Sequence, residues 1–259
     1  MRRLMLCLAL YLGLSCTPAY GLEPFREPEV FFQVSTLEAL LAGSYDGQMS
    51  LHELSLHGDV GLGTFDRLDG EMIVLYGTFY QVRADGAVVE ADLDETTPFA
   101  QLTPFEADVN AEIGGAADMA ALTAVIDQHM TGRNQFYAIL ITGAFPYVKT
   151  RSVPAQDKPY PPLAQVVTHQ SVFEFHDVEG TVVGLYNPDF VGPMGVPGYH
   201  LHFLTADRTG GGHVLELAVG QAVLQLDATH EFRLVVPGSG EFQAQDFDVE
   251  EGAADAVEH

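Results

Sequence analysis

Asp-Gly pairs divide the first half of this chain into short strand-like runs, and they strongly restrict its fold. The pairs stand at positions 46–47, 69–70 and 85–86. Residues 72–82, between the second and third pairs, form the clearest such run, and residues 87–90 form another after the third pair. Because Asp-Gly between two such runs is a strong signal for a β-hairpin, this region is predicted to be rich in β-sheet.

Helices are predicted at only a few places. Ser35 and Glu38 have the spacing of a capping box, so a short helix is expected to begin here and to end at Gly43. A second helix is predicted over residues 118–130, because apolar residues recur there at near-helical spacing: Met119, Leu122, Val125, Ile126 and Met130.

The second half of the chain continues the strand pattern. Strands are predicted over residues 136–141, 145–148, 180–186 and 214–226, and across the histidine-bearing stretch 198–213. The proline-rich residues 152–162 indicate a linker or domain edge, from which Pro161 or Pro162 opens a short helix through Thr168. The fold class is therefore α+β or α/β, with two sheet-rich halves.

The N-terminus has the pattern of an export signal. Arg2 and Arg3 precede an apolar run over residues 4–14, which is too short to span a bilayer as a helix. Residues 1–21 are therefore predicted to be a signal peptide cleaved after Gly21, giving a secreted or periplasmic protein. The alternative is a lipoprotein anchored at Cys16.

Charge and cysteine content narrow the possible partners. The chain has 36 acidic and 11 basic residues and a formal net charge of −25, which argues against nucleic acid and against anionic membrane surfaces. No membrane association is expected once the signal is removed. Both cysteines, Cys7 and Cys16, lie near the N-terminus, so histidine and carboxylate are the metal ligands expected in the mature chain.

The stretch GYHLHFLTADRTGGGH, residues 198–213, carries a candidate metal site. On a strand, His200 and His202 point to the same face, while Leu201 and Phe203 point to the other, into a core. The glycine-rich turn that follows can bring His213 alongside the pair. Three imidazoles with an open fourth position form a catalytic zinc arrangement, although copper, nickel or iron also suit such ligands, and a purely structural sheet face is the simplest alternative.

Several segments of the chain, taken together, resemble the α-acetolactate decarboxylase family. They are residues 68–72 (LDGEM), 77–81 (GTFYQ), 148–151 (VKTR), 180–184 (GTVVG) and 196–203 (VPGYHLHF). The resemblance runs from about Phe31 to the end of the chain. It implies two domains with mixed β-sheets and a few short helices, with the metal site between them. The N-terminal domain would cover residues 22–158 and the metal-binding domain residues 159–259.

The resemblance also implies the site residues. Zinc would be bound by His200, His202 and His213, and the C-terminal tail would return to this site. The other matching positions are catalytic Glu71 and Arg151, substrate-binding Thr64, and a C-terminal catalytic glutamate best matched by Glu258, with Glu250 and Glu251 as rivals. Arg151, one of few basic residues, can also grip a carboxylate through two hydrogen bonds.

The implied reaction is loss of CO2 from 2-acetolactate, a small-molecule substrate, to give acetoin, and the resemblance implies a homodimer. In this mechanism zinc polarises the ketone and stabilises an enediolate, which a glutamic acid then protonates. Two alternatives stay open. One is a secreted zinc-binding protein without catalysis, and the other is a cupin-like metalloenzyme, in which Asp207 stands near the place of a motif glutamate.

Overall fold

The computed structural model describes residues 30–238, 240–247, 252 and 254 of the chain. Its helices are α1 Leu37–Leu41, α2 Leu51–Leu54, α3 Met119–His129, α4 Leu163–Val166 and α5 Glu241–Ala244. Its strands are β1 Val30–Val34, β2 Met49–Ser50, β3 Val60–Thr64, β4 Glu71–Leu75, β5 Thr78–Val82, β6 Val88–Glu90, β7 Thr96–Thr97, β8 Ala100–Thr103, β9 Val109–Ala116, β10 Phe136–Ser152, β11 Ser171–Asn187, β12 Gly198–Thr205, β13 Gly211–Thr229 and β14 Glu231–Val235. None of the described helices is long and apolar enough to cross a membrane.

A seven-stranded sheet is built mainly from the N-terminal half of the described chain. Its strand order is β14-β1-β8-β3-β4-β5-β6. β14 lies parallel to β1, whereas the other neighbours are antiparallel, so this sheet is mixed. The hairpin β3–β4 places Thr64 directly opposite Glu71.

A five-stranded sheet, with the order β10-β11-β12-β13-β9, carries the histidines. All of its pairings are antiparallel. β10 pairs with both β11 and β13, and β12 pairs with β11 and with the first residues of β13. The four strands β10, β11, β12 and β13 therefore form a closed ring of paired strands at the end where β12 and β13 meet.

The two sheets share an apolar core. Apart from Val191, its buried members come from the seven-stranded sheet (Phe31, Val60, Leu62, Ile73, Leu75, Val82) and from the five-stranded sheet (Phe136, Ala138, Leu140, Val183, Leu185, Leu204). A second core contains Leu122 and Ile126 of α3 together with residues of the five-stranded sheet. The five-stranded sheet is therefore covered on both faces, which accounts for its long apolar runs.

Most predicted elements are present with shifted boundaries. The first helix is capped by Thr36, whose hydroxyl accepts a hydrogen bond from the Ala39 amide at 3.2 Å, rather than by Ser35. The helix predicted over residues 118–130 is α3, and Pro162 precedes α4 as expected. The two strands predicted over residues 136–141 and 145–148 are one continuous strand, β10.

The single run predicted over residues 72–82 was wrong, because a hairpin turn divides it into β4 and β5. Tyr76 and Gly77 both have positive φ, 51° and 80°, as a two-residue type I′ turn requires. Gly77 takes this conformation readily, but the apolar residues on both sides hide the turn in the sequence. Two other hairpins of the seven-stranded sheet, β3–β4 and β5–β6, fall at the second and third Asp-Gly pairs, as predicted.

The sheet-rich prediction with a few short helices is confirmed for the described residues, and two details differ from it. Only the seven-stranded sheet is mixed. The boundary predicted between residues 158 and 159 does not separate the sheets, because β9 and β10 pair with strands of the second half and β14 returns to β1. The separation into two domains stays a prediction, and the predicted signal peptide and Cys16 lie outside the described residues.

Candidate metal centre

Strand β12 presents its histidines toward the seven-stranded sheet. His200 lies opposite Leu185 and His202 opposite Val183, and both of these partners belong to the core shared by the sheets. Leu201 belongs instead to the core on the other side, together with Phe203. The alternation predicted for this strand is therefore confirmed.

The hairpin β12–β13 places the third histidine, His213, beside the other two. His213 is the direct cross-strand partner of both His202 on β12 and Arg151 on β10, so the three residues form one row. Gly212, with φ of 129°, makes this close approach possible, because a Cβ atom there would lie 2.4 Å from the Arg151 carbonyl oxygen. The turn itself is short, since β12 ends at Thr205 and β13 begins at Gly211.

The three imidazoles converge on one point. One ring nitrogen from each lies within 4.8 Å of the others, and all three residues are buried. Nε2 of His200 and Nδ1 of His213 are 3.2 Å apart. His202 donates from Nδ1 to the Met72 carbonyl oxygen at 2.9 Å, because a carbonyl can only accept, and its buried Nε2 has no hydrogen bond. That orphaned nitrogen is the donor atom that a metal ion would satisfy.

The environment keeps the imidazoles of His200 and His202 neutral. Burial lowers the pKa of His200 to about 3, and the nearby positive charge of Arg151 adds to this effect. Burial also lowers the pKa of His202 well below its ordinary value, helped by His200 and Arg151 and opposed by the hydrogen bond to Met72. Neutral imidazole is the form that binds metal, so the site is prepared for an ion at ordinary pH.

The opposing sheet contributes polar groups from β3 and β4. A carboxylate oxygen of Glu71 lies 3.6 Å from Nε2 of His202, and the Glu71 side chain is largely buried. Thr64, its cross-strand partner, also lines the cavity, and its hydroxyl donates to the Gly70 carbonyl oxygen at 2.7 Å. Thr64 can therefore offer a ligand its hydroxyl lone pairs, but not its proton.

Arg151 completes the polar side of the cavity. It is 6% exposed, and among the described residues it has no carboxylate within ion-pair distance. Its Nη1 donates to the Gln170 side-chain oxygen at 3.3 Å, while its buried Nε has no hydrogen-bond partner within the described residues. The other side of the cavity is an apolar wall, which we define as Leu37, Leu40, Leu68, Phe99, Val153, Leu163 and Val196.

Five of the six candidate site residues within the described part of the chain line one cavity: Thr64, Glu71, Arg151, His200 and His213. The sixth, His202, belongs to the same histidine group without lining the cavity, and the roles assigned to these residues stay predictions. Glu258, Glu250 and Glu251 lie outside the described residues. The described C-terminal segment does reach this region. Ala254 packs on the apolar cluster that includes the whole apolar wall, and Gln245 donates to the Ala42 carbonyl oxygen at 2.6 Å.

Sequence reasoning missed the Met72 carbonyl, Gln170 and the apolar wall. A backbone carbonyl has no signature in a sequence, and apolar residues of a cavity look like those of any core. Gln170 was not recognised because a single glutamine in a sequence does not indicate which residue its neutral amide will bind. The available signal was its position in the sequence. Once β10 is paired with β11, Arg151 lies opposite Val172, and the residue two positions before Val172 is the diagonal neighbour of Arg151.

Fold and site together define a β-rich protein with a buried three-histidine group that can hold a metal ion beside an arginine and a glutamate. Residues 31–249 match the model of the alpha-acetolactate decarboxylase family. The chain is 47% identical over 214 residues to the alpha-acetolactate decarboxylase of Methanosarcina mazei, covering 83% of this chain and 74% of that protein. It is 42% identical over 229 residues to the one from Brevibacillus brevis, covering 88% and 80%.

A solved structure agrees with these matches. The crystal structure of alpha-acetolactate decarboxylase from Bacillus subtilis strain 168 superposes with a TM-score of 0.85 at 36% identity, covering 88% of this chain and 97% of that one. This chain therefore belongs to the alpha-acetolactate decarboxylase family. The predictions of that family and of a decarboxylase are confirmed.

Proposed function

We propose that this protein decarboxylates 2-acetolactate to acetoin and CO2 with a zinc ion held by His200, His202 and His213. The observation that carries the proposal is one cavity where the histidine group and a carboxyl group meet Arg151, a buried cation that has no carboxylate within ion-pair distance among the described residues. The family's name supports the substrate. Bound by three neutral imidazoles, zinc would supply Lewis acidity toward the ketone oxygen of the substrate.

Arg151 is the group that binds the substrate carboxylate. Its guanidinium is buried at the cavity beside the histidines, and its Nε–H group has no hydrogen-bond partner in the described part of the chain. A carboxylate accepts two parallel N–H bonds from a guanidinium, which fixes the plane of the carboxylate as well as its position. Arg151 thereby holds the bond that must break in one orientation relative to the ketone.

Loss of CO2 leaves an electron pair on the substrate, and this pair must be stabilised. The bond between the carboxyl carbon and carbon 2 breaks, CO2 departs, and the pair moves into the neighbouring carbonyl to give an enediolate. One proton must then be added at carbon 2 to form acetoin. The apolar wall excludes bulk water from this step, so that proton has to come from a side chain at the cavity.

Glu71 is the proton donor of this proposal within the described chain. It lies on the seven-stranded sheet, across the cavity from the strands that carry the histidines and Arg151. A donor fixed on one side delivers the proton to one face of the planar enediolate, so acetoin of a single configuration is expected. Glu258 keeps its proposed role as a second carboxyl group in the site.

Two substitutions test the function. His200→Ala removes a ligand, and we expect a protein that binds less than one zinc ion per chain and does not release acetoin from 2-acetolactate. Arg151→Ala leaves the histidines in place, and we expect zinc-replete but inactive protein. Metal analysis and chiral chromatography of acetoin are the measurements. An active, metal-free His200→Ala protein would refute the mechanism, and zinc binding by an inactive wild type would indicate a non-catalytic metal carrier instead.

We further propose that the chain is exported after cleavage behind Gly21 and that it forms a homodimer. Export is supported by Arg2, Arg3 and the apolar run that follows. Mass spectrometry of protein recovered from the culture medium and the periplasm would give the N-terminal residue, which is Leu22 if the prediction holds. Light scattering with size-exclusion chromatography would give the oligomeric state.

A further inference from the structure

Gln170 stands where the segment that follows β10 rejoins the five-stranded sheet. It follows the 3-10 helix Val167–His169 and directly precedes β11. Arg151 and Val172 are cross-strand partners, so Gln170 is the diagonal neighbour of Arg151 at the end of the ladder. Its side-chain oxygen accepts from Nη1 of Arg151 at 3.3 Å, and among the described residues this is the one hydrogen bond that the guanidinium makes.

A neutral amide is an unusual partner for a buried arginine in this chain. Acidic residues outnumber basic ones 36 to 11, and the ion pairs of Arg67 and Arg133 in the described structure are with aspartates. Arg151, which is far more buried than those two, has a neutral amide instead. A buried cation is normally paired with a carboxylate, because its desolvation is otherwise not offset.

A neutral acceptor orients the guanidinium without cancelling its charge. The hydrogen bond engages one N–H of Nη1. It leaves the others for a ligand, including the Nε–H, which has no partner among the residues that the structure describes. A carboxylate in place of the Gln170 amide would form an ion pair with Arg151 and compete with any anion that enters the cavity. The arrangement therefore keeps beside the histidines an oriented positive charge that no carboxylate of the described residues offsets.

We propose that Gln170 is a positioning residue that holds Arg151 ready for the substrate carboxylate. This inference rests on the proposed function, in which Arg151 binds that carboxylate. Gln170 acts through Arg151 and not on the reacting atoms. Its effect should therefore appear in the binding of ligands that carry a carboxylate and not in the binding of ligands that lack one.

Two ligands separate these cases. The reduced substrate 2,3-dihydroxy-2-methylbutanoate has the carboxylate but no ketone, so it binds without losing CO2, and acetoin has no carboxylate. The variants are Gln170→Leu, which removes the acceptor, and Gln170→Glu, which adds a competing charge. Gln165→Leu and Gln165→Glu are matched controls, because Gln165 is exposed on α4 and its side chain makes no hydrogen bond in the described structure. Zinc-loaded proteins are compared by calorimetric titration and by steady-state kinetics with 2-acetolactate.

We expect the Kd of the reduced substrate to rise roughly tenfold or more in both Gln170 variants, as is typical when a hydrogen bond to a charged group is lost or a competing charge is introduced. The KM for 2-acetolactate should rise in parallel, while the Kd of acetoin and the zinc content stay unchanged. Gln170 variants that match their Gln165 controls would overturn the inference, as would equal weakening of both ligands, which indicates a merely structural role. A wild type that neither binds the reduced substrate nor converts acetolactate would instead overturn the proposed function, and this inference with it.

Discussion

Three buried amides join the seven-stranded sheet to the residues that lead into β12, and they provide a test of the structure. Gln33 and Gln101 are cross-strand partners on β1 and β8, and the Gln101 Nε2 donates to the Gln33 Oε1 at 2.6 Å. Gln33 donates in turn to the Met194 carbonyl oxygen at 2.6 Å, and Asn187 donates to that of Val196 at 2.7 Å. Gln33, Gln101 and Asn187 are all 0% exposed.

The substitution Gln101→Met keeps the length of the side chain and removes its donor. The Gln33 oxygen then becomes a buried acceptor without its partner, which costs about 1–3 kcal/mol. The second contact of Gln101, from Asn187 at 3.4 Å, is long and adds little, since Asn187 keeps its bond to Val196. We therefore expect the free energy of unfolding to fall by about 1–3 kcal/mol. The double variant with Gln33→Met should cost less than the sum of the single variants.

Equilibrium unfolding in urea, with a chelator present to remove metal, measures this change. The midpoint should fall while the dependence on urea concentration stays the same. Gln221→Met is the matched control, because Gln221 is exposed on β13, and its effect should stay within about 0.5 kcal/mol. If Gln101→Met is as stable as this control, the Gln33 oxygen is not left unsatisfied, and the reasoning from the network is refuted.

Three further predictions concern the site and its support. Adding zinc to metal-free protein should raise the unfolding free energy by about 2.7 kcal/mol at a free zinc concentration one hundred times the Kd, and an unchanged melting temperature would argue against a folded-state site. The metal-free protein should lose stability as the pH falls from 6.5 toward about 3. Burial lowers the pKa of His200 to about 3, so the unfolded state binds more protons than the folded state in this range. His200→Leu should reduce this pH dependence of the unfolding free energy, measured by urea unfolding at a series of pH values. Tyr199→Phe removes the hydroxyl that donates to Asp127 of α3 at 2.5 Å. The free energy of unfolding should fall by about 1.5 kcal/mol, the lower end of the range for a hydrogen bond to a charged group, because Asp127 is partly exposed. A free energy of unfolding equal to that of the wild type would show that the stability of α3 does not depend on this bond.

Local sequence patterns predicted the parts of the site that lie on one hairpin. The alternation that separates His200 and His202 from Leu201 is a property of any strand, so it could be recognised without knowing the fold. The glycine-rich turn indicated that His213 returns beside this pair, and the pairing of His202 with His213 confirms it. The turn at Gly77 was missed because apolar residues flank it, so its conformation is visible only in the backbone angles.

The sequence by itself determined a sheet-rich chain with a cluster of histidines, and family motifs added Glu71 and Arg151 to that cluster. Only the tertiary structure decided how these groups face one another. The hydrogen bond from His202 to Met72 joins residues 130 positions apart, on different sheets, and no local period encodes such a contact. The pairing of Arg151 with Gln170 likewise depends on the register of β10 against β11. The charge state of the histidines follows from burial between the sheets, which exists only once the sheets have packed.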